Sequence, residues 1–254
     1  MKKIYLFALF LGQSTLFAQS TQGTIIYEET RQLQFNFGND ARSEEMKSMI
    51  PSQVSTYKQL LFTADASIFL KYENLEKQSA NEMNFTSASG GNVAIKMKEA
   101  NNEFFRNIAK GKTVEKIEFM SKDFIISEPK VEFAWKITGE IKTILDYTVM
   151  KATIEDTAGV IEAWFTTQIP VPAGPDKYGN LPGLILELSL EGGKRIFTAT
   201  NINLNNVEEK LIVAPNKGKN VSREEFEKIR AEKMKEMEEM YGGKGRTRMI
   251  IDHE

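Results

Sequence analysis

Along the first half of the chain, apolar and polar residues alternate in short runs broken by Asn, Gly, Ser and Lys. "GTIIYEET" (23–30), "ASIFLKYE" (66–73), "VAIKMKE" (93–99), "EFFRNIA" (103–109), "KTVEKIEFM" (112–120) and "DFIISE" (123–128) all have strand length. With no long helical pattern between them, they predict an antiparallel meander. "KVEFAWKITGE" puts Val131, Phe133, Trp135 and Ile137 on one side and Glu132 and Lys136 on the other, the period of a half-buried strand. Residues 142–170 then read as a hairpin that turns at Asp156-Thr157-Ala158-Gly159 and ends at Pro170. Leu184, Leu186, Leu188 and Leu190 share a face of a buried strand, and Gly192-Gly193 turns it into "KRIFTATNI".

The period lengthens in two places. "ARSEEMKSMIP" predicts a short helix stopped before Pro51. The second helix spans 222–241: Ser222 and Glu225 make a capping box, and Gly242-Gly243 ends it. Phe226, Ile229, Met234, Met237, Met240 and Tyr241 fall on one face, an apolar stripe expected to dock the helix onto the sheet. "TRMIID" reads as one last strand. The expected architecture is mainly β, a strongly curved antiparallel meander or unclosed half-barrel, covered in part by the C-terminal helix.

Between the hairpin and the leucine strand runs "IPVPAGPDKYGNLPG", turn chemistry set directly against strand chemistry. Its prolines predict a stiff loop, with Gly179 and Gly183 supplying backbone shapes closed to other residues and Pro182 fixing one φ angle. It leads into a strand and lacks a following helix and lysine, so it is not a phosphate cradle.

The N-terminus predicts an address. Lys2 and Lys3, the apolar run Ile4 to Leu11 and the small-residue end Leu16-Phe17-Ala18 form a secretory signal peptide, with cleavage expected after Ala18. Residues 19–254 would then form a single β-rich domain, exported to the periplasm or beyond. No other run of about 18 apolar residues follows, so no transmembrane span is expected in the mature chain. The sequence has no cysteine, so its stability must come from packing.

Charge and residue inventory mainly exclude. A formal charge of −2 argues against nucleic acid. The one histidine is His253, which leaves no Ser-His-Asp or Cys-His system and no histidine-rich zinc site. No catalytic residue and no cofactor is assigned. Glu187 interrupts "LILEL" and reads as an outward position on a strand whose leucines face in.

"AWFTTQIPVPAGPDKYGNLPGLILEL" resembles the signature of the GLPGLI family, exported proteins found chiefly in Bacteroidetes. The motif is carried here by Gly179, Leu181, Pro182, Gly183, Leu184 and Ile185, with Asn180 inserted. "WKITGEIKTILDYTVMKA" and "APNKGKNVSREEFEKIRAEKMKEMEEM" extend the resemblance over most of the chain from about residue 23. Members often carry a cysteine in the segment matching 147–152, where this chain has Val149 and Met150. The resemblance implies export and a β-rich fold, and no activity.

The function expected is that of a non-catalytic module binding an apolar small molecule or an envelope protein, with Trp135, Trp164, Leu186 and Leu188 as ligand-facing candidates. Two alternatives stand beside it: a hydrolase using paired carboxylates, and a Cu(I) site on Met234, Met237 and Met240.

Overall fold

The computed structural model describes residues 20–33, 52–73, 82–86, 92–96, 100–156 and 159–241. Ala18, the helix expected at 41–51, Thr157-Ala158, Gly242-Gly243, "TRMIID" and His253 all lie outside them.

The strands are β1 (Gly23–Gln32), β2 (Gln53–Phe62), β3 (Ala66–Lys71), β4 (Glu82–Thr86), β5 (Asn92–Lys96), β6 (Glu103–Asn107) and β7 (Lys112–Phe119). They continue as β8 (Lys122–Pro129), β9 (Lys136–Ile144), β10 (Tyr147–Asp156), β11 (Gly159–Thr166), β12 (Leu184–Leu190), β13 (Arg195–Asn203) and β14 (Lys219–Asn220). One α-helix, α1 (Arg223–Tyr241), follows. β4 and β5 pair only with each other, and the rest form one twelve-stranded sheet in the order β14-β8-β7-β6-β3-β2-β1-β13-β12-β11-β10-β9. Every pairing is antiparallel except β14 with β8. The expected unclosed antiparallel sheet with a C-terminal helix is what the chain adopts.

Its topology is two meanders joined at β1, which takes β2 on one side and β13 on the other. β8 and β9 are consecutive in sequence yet stand near opposite ends of the sheet. The connection between Pro129 and Lys136 can reach at most about 25 Å. In a flat sheet the ten strand steps between them would span roughly 48 Å at about 4.8 Å each. The sheet must therefore curl until its ends approach each other, as an open barrel does.

Several expectations need correction in detail. β2, "QVSTYKQLLF", is a full strand that the sequence reading omitted. The segment expected to be one strand from 142 to the 156–159 turn is broken at Leu145-Asp146, both at positive φ, a two-residue hairpin turn between β9 and β10. Residues 130–135 carry an alternating pattern but form no strand, because they are the span between the sheet's two ends.

One face of the sheet holds the main core. Ile25, Tyr27, Leu60, Phe62, Phe69, Phe104, Phe165, Leu186, Leu188 and Phe197 are all buried there. On the other face Leu61, Ile68 and Phe105 pack under Val207 and Ile212 of the segment after β13. α1 docks at the β7–β8 end, where Phe226 meets the Phe124 and Phe119 rings at 5.3 and 6.1 Å between centroids. Ser222 caps it as expected, its Oγ accepting from the Glu225 N–H at 3.1 Å. The methionine stripe does not dock. Met234, Met237 and Met240 are 45, 42 and 73% exposed, because only the first two helical turns overlie the sheet.

Candidate functional site

The concave face expected to receive an apolar ligand is filled by the chain's own loop between β11 and β12. Ile169, Val171 and Ala173 alternate with Pro170 and Pro172 and are fully buried, so the loop plugs the core with a strand-like period of two. The N–H of Val171, Ala173 and Gly183 each donate to the carbonyl two residues back, at 2.7 to 2.8 Å, making a tight turn about each of Pro170, Pro172 and Pro182. Proline fixes the φ such turns use and has no N–H to strand in the interior.

Six motif residues lie in or just after this plug. Leu181, Leu184 and Ile185 are buried, while Pro182 stays at the surface. Glycine is required at Gly183 and Gly179 for close approach. A Cβ on Gly183 would lie 2.0 Å from the Thr166 carbonyl oxygen, and one on Gly179 2.8 Å from that of Pro172. The left-handed turn belongs to Asn180, at φ 64°. Its Nδ2 donates to Val131 O at 2.5 Å and its Oδ1 accepts from Arg106 at 3.1 Å, so the residue inserted into the motif ties the plug to both β6 and the 130–135 span.

Four further contacts hold the plug. Trp135 Nε1 donates to Gly179 O at 2.8 Å, and Phe133 stacks on Tyr178 at 5.2 Å. Tyr27 Oη donates to Ile185 O at 2.6 Å, and burial pushes that phenol well above its usual range. Arg195 reaches Asp176 at 3.4 Å.

Two of the four ligand-facing candidates are therefore core: Leu186 and Leu188 are at 0% exposure beneath the plug. Trp135 is a prop for the plug. Trp164 sits opposite Lys151 and Glu187 on the other face, with Lys142 Nζ 4.3 Å from its ring centre and Lys151 at 5.8 Å, so its plane is covered by the protein's own cations. Glu187 faces outward as expected and pairs with Lys142 at 2.7 Å. The three methionines share an exposed stretch of helix.

Four charged side chains are buried among the described residues, Glu29, Lys58, Arg106 and Lys116, and none was singled out from the sequence; Glu29 and Arg106 organise this face. Glu29, 1% exposed, is surrounded by Arg31 (2.5 Å), Arg195 (2.8 Å) and Lys58 (3.7 Å). Burial opposes its ionisation, but Arg195, Arg31 and Lys58 overcome it and hold the carboxyl down at about 2. Arg106, 4% exposed, donates to Asn180 Oδ1 and to Lys177 O (2.8 Å), over the Phe104 ring at 5.6 Å. Burial lowers its guanidinium to about 10, opposed only in part by Glu132. Both were legible in principle: Glu29 shares the parity of Ile25 and Tyr27, and Arg106 that of Phe104, so each is a charge on an inward position.

At the far end of the sheet, β9 hydrogen-bonds only to β10 among the described residues. Ile137 and Ile141, opposite Ala152 and Met150, are 49 and 69% exposed. Gly139 lies between them at φ 86° in open space.

A family model described as a protein of unknown function (Porph_ging) matches residues 155–187, from the end of β10 through β11 and the plug into β12. No curated protein matches the chain. Structures of PNGF-II in its P21 and C2 crystal forms are similar at a TM-score of 0.50 and 16% identity, over 80% of this chain. The likeness covers 32% of the PNGF-II chain, so this chain spans about a third of that protein's length. It bears on the fold alone.

Proposed function

We propose that this is an exported, non-catalytic binding module of the GLPGLI type, and that its ligand is an extended segment of a partner protein added to the sheet at β9. The observation that carries this reading is the open edge: a nine-residue strand with one neighbour among the described residues and two isoleucines at its surface. Edge strands are ordinarily guarded by lysines or bulges. Here Lys142 is folded back onto Glu187 and Trp164, while Lys136 at the start of the strand and a ladder irregularity around Gly139 remain. A partner strand would satisfy the outer N–H and C=O groups of β9, while every second side chain covered Ile137 and Ile141. The plug favours this over an apolar small molecule, because the interior such a ligand would need is occupied by Ile169, Val171 and Leu181. Export is supported by the N-terminal pattern of Lys2, Lys3 and the apolar run, and no helix among the described residues is long and apolar enough to cross a membrane.

The test is selection of extended peptides from a displayed library against the purified chain, followed by NMR titration of the strongest binder. Backbone amides of 136–144 should shift, and Ile141→Lys should weaken binding about tenfold or more. Binders that saturate without perturbing β9, or that ignore Ile141→Lys, would refute the reading.

A further inference from the structure

We infer that the cleft beside Arg106 is a binding site for the carboxylate of a small molecule or chain terminus, separate from β9. A cavity of about 180 Å³ lies between the β6–β7 turn, the 130–135 span and the plug, lined by Arg106, Asn107, Lys130, Glu132, Pro172 and Asn180. At roughly 30 Å³ per water it has the volume of about six waters, enough for a carboxylate and a short substituent.

The charge pattern identifies the ligand class. Arg106 is almost wholly removed from water, yet its partners are an amide oxygen and a backbone carbonyl, and among the described residues no carboxylate makes an ion pair with it. A buried charge is ordinarily paired. Glu29 on the same sheet face obeys that rule with three cations, so the Arg106 guanidinium is an exception among the described residues. Glu132, the carboxylate in the cleft, is engaged by Lys130 at 2.7 Å at the exposed mouth. Arg106, Lys130 and Glu132 leave the cleft one positive charge in excess, concentrated on the guanidinium. Two of its five N–H groups are committed to the plug. The remainder form a planar fork that matches a carboxylate. The Phe104 ring lies beneath it, 5.6 Å from the guanidinium carbon. Gly179 lets the plug approach the guanidinium, since a Cβ there would stand 3.0 Å from its central carbon.

The probes are N-acetylglycine, lactate and inorganic phosphate, titrated into the full chain while the Arg106 side-chain N–H resonance is followed. We expect the carboxylates to saturate that resonance. Glu132→Gln should tighten N-acetylglycine about threefold and Lys130→Met weaken it by a similar factor, the range of an exposed charge interaction. Arg106→Lys, which keeps the charge and loses the fork, should abolish saturation. N-acetylglycine binding far tighter than lactate identifies a peptide terminus as the source of the carboxylate; equal binding identifies a free small acid. Saturation by phosphate alone, no saturation by either carboxylate below about 20 mM, or indifference to both rim variants overturns the proposal and leaves Arg106 as a clamp for the plug. The two rim positions are exposed, so they decide the matter even if Arg106→Lys fails to fold.

Discussion

Glu29 is where a single residue governs the most. Its carboxyl sits near 2, below the ordinary 4.5, so its contribution is present above pH 4.5 and lost as pH falls toward 2. A shift of that size corresponds to about 3 kcal/mol. Glu115 works in the opposite sense. Burial raises it, with Arg223 opposing, so its contribution is present below 4.5 and lost as pH rises. A comparison of wild type with Glu29→Gln therefore isolates the acid-labile part. Urea denaturation at pH 7, 4.5 and 2.5 should show the variant destabilised at pH 7, with Arg31, Arg195 and Lys58 losing the carboxylate they share, and a flatter profile below 4.5. Parallel profiles would mean that Glu29 is not the group that titrates.

At the scale of the element, α1 separates formation from docking. Its start follows from local chemistry: the Ser222 cap, and Glu224 and Glu225 in the first turn where the helix dipole favours them. Docking rests on Phe226 and Ile229, and on Arg223, which reaches Glu115 at 2.6 Å and Glu128 at 2.7 Å. Phe226→Ala should cost about 3 to 5 kcal/mol in thermal or urea unfolding. Met237→Asp, on an exposed turn, should stay within about 0.5 kcal/mol. Equal losses from the two would show that the distal half of the helix is docked as well.

Across the whole molecule, stability should decline from the middle of the sheet outward. β1 lies between β2 and β13 with Ile25 and Tyr27 at 0% exposure, whereas β9 has one neighbour among the described residues. Native-state hydrogen exchange should be slowest at 25–27 and 197–199 and fastest in 136–144, with protection of β9 rising when a peptide binder is added. Amides of β9 as slow as those of β1 in the free protein would mean that the edge is already covered.

The sequence by itself determined most of the strands, the hairpin turn at Gly192-Gly193 and the capped helix, because each depends on neighbours within a few residues; β2, β4 and the break at Leu145-Asp146 it did not show. It also marked "GNLPGLI" as special. Only the tertiary structure decided what that motif is for. Whether Leu186 and Leu188 line a cavity or lie under a plug depends on where a loop some fifteen residues long comes to rest, and alternation reads the same in both cases. The exposed methionines were illegible for a related reason: a helical stripe shows that a face is apolar, not how far the sheet beneath it extends. The pairing of Glu29 with Arg195 across 166 residues, and the lack of a carboxylate partner for Arg106 among the described residues, are facts of long-range contact, which local periodicity does not encode.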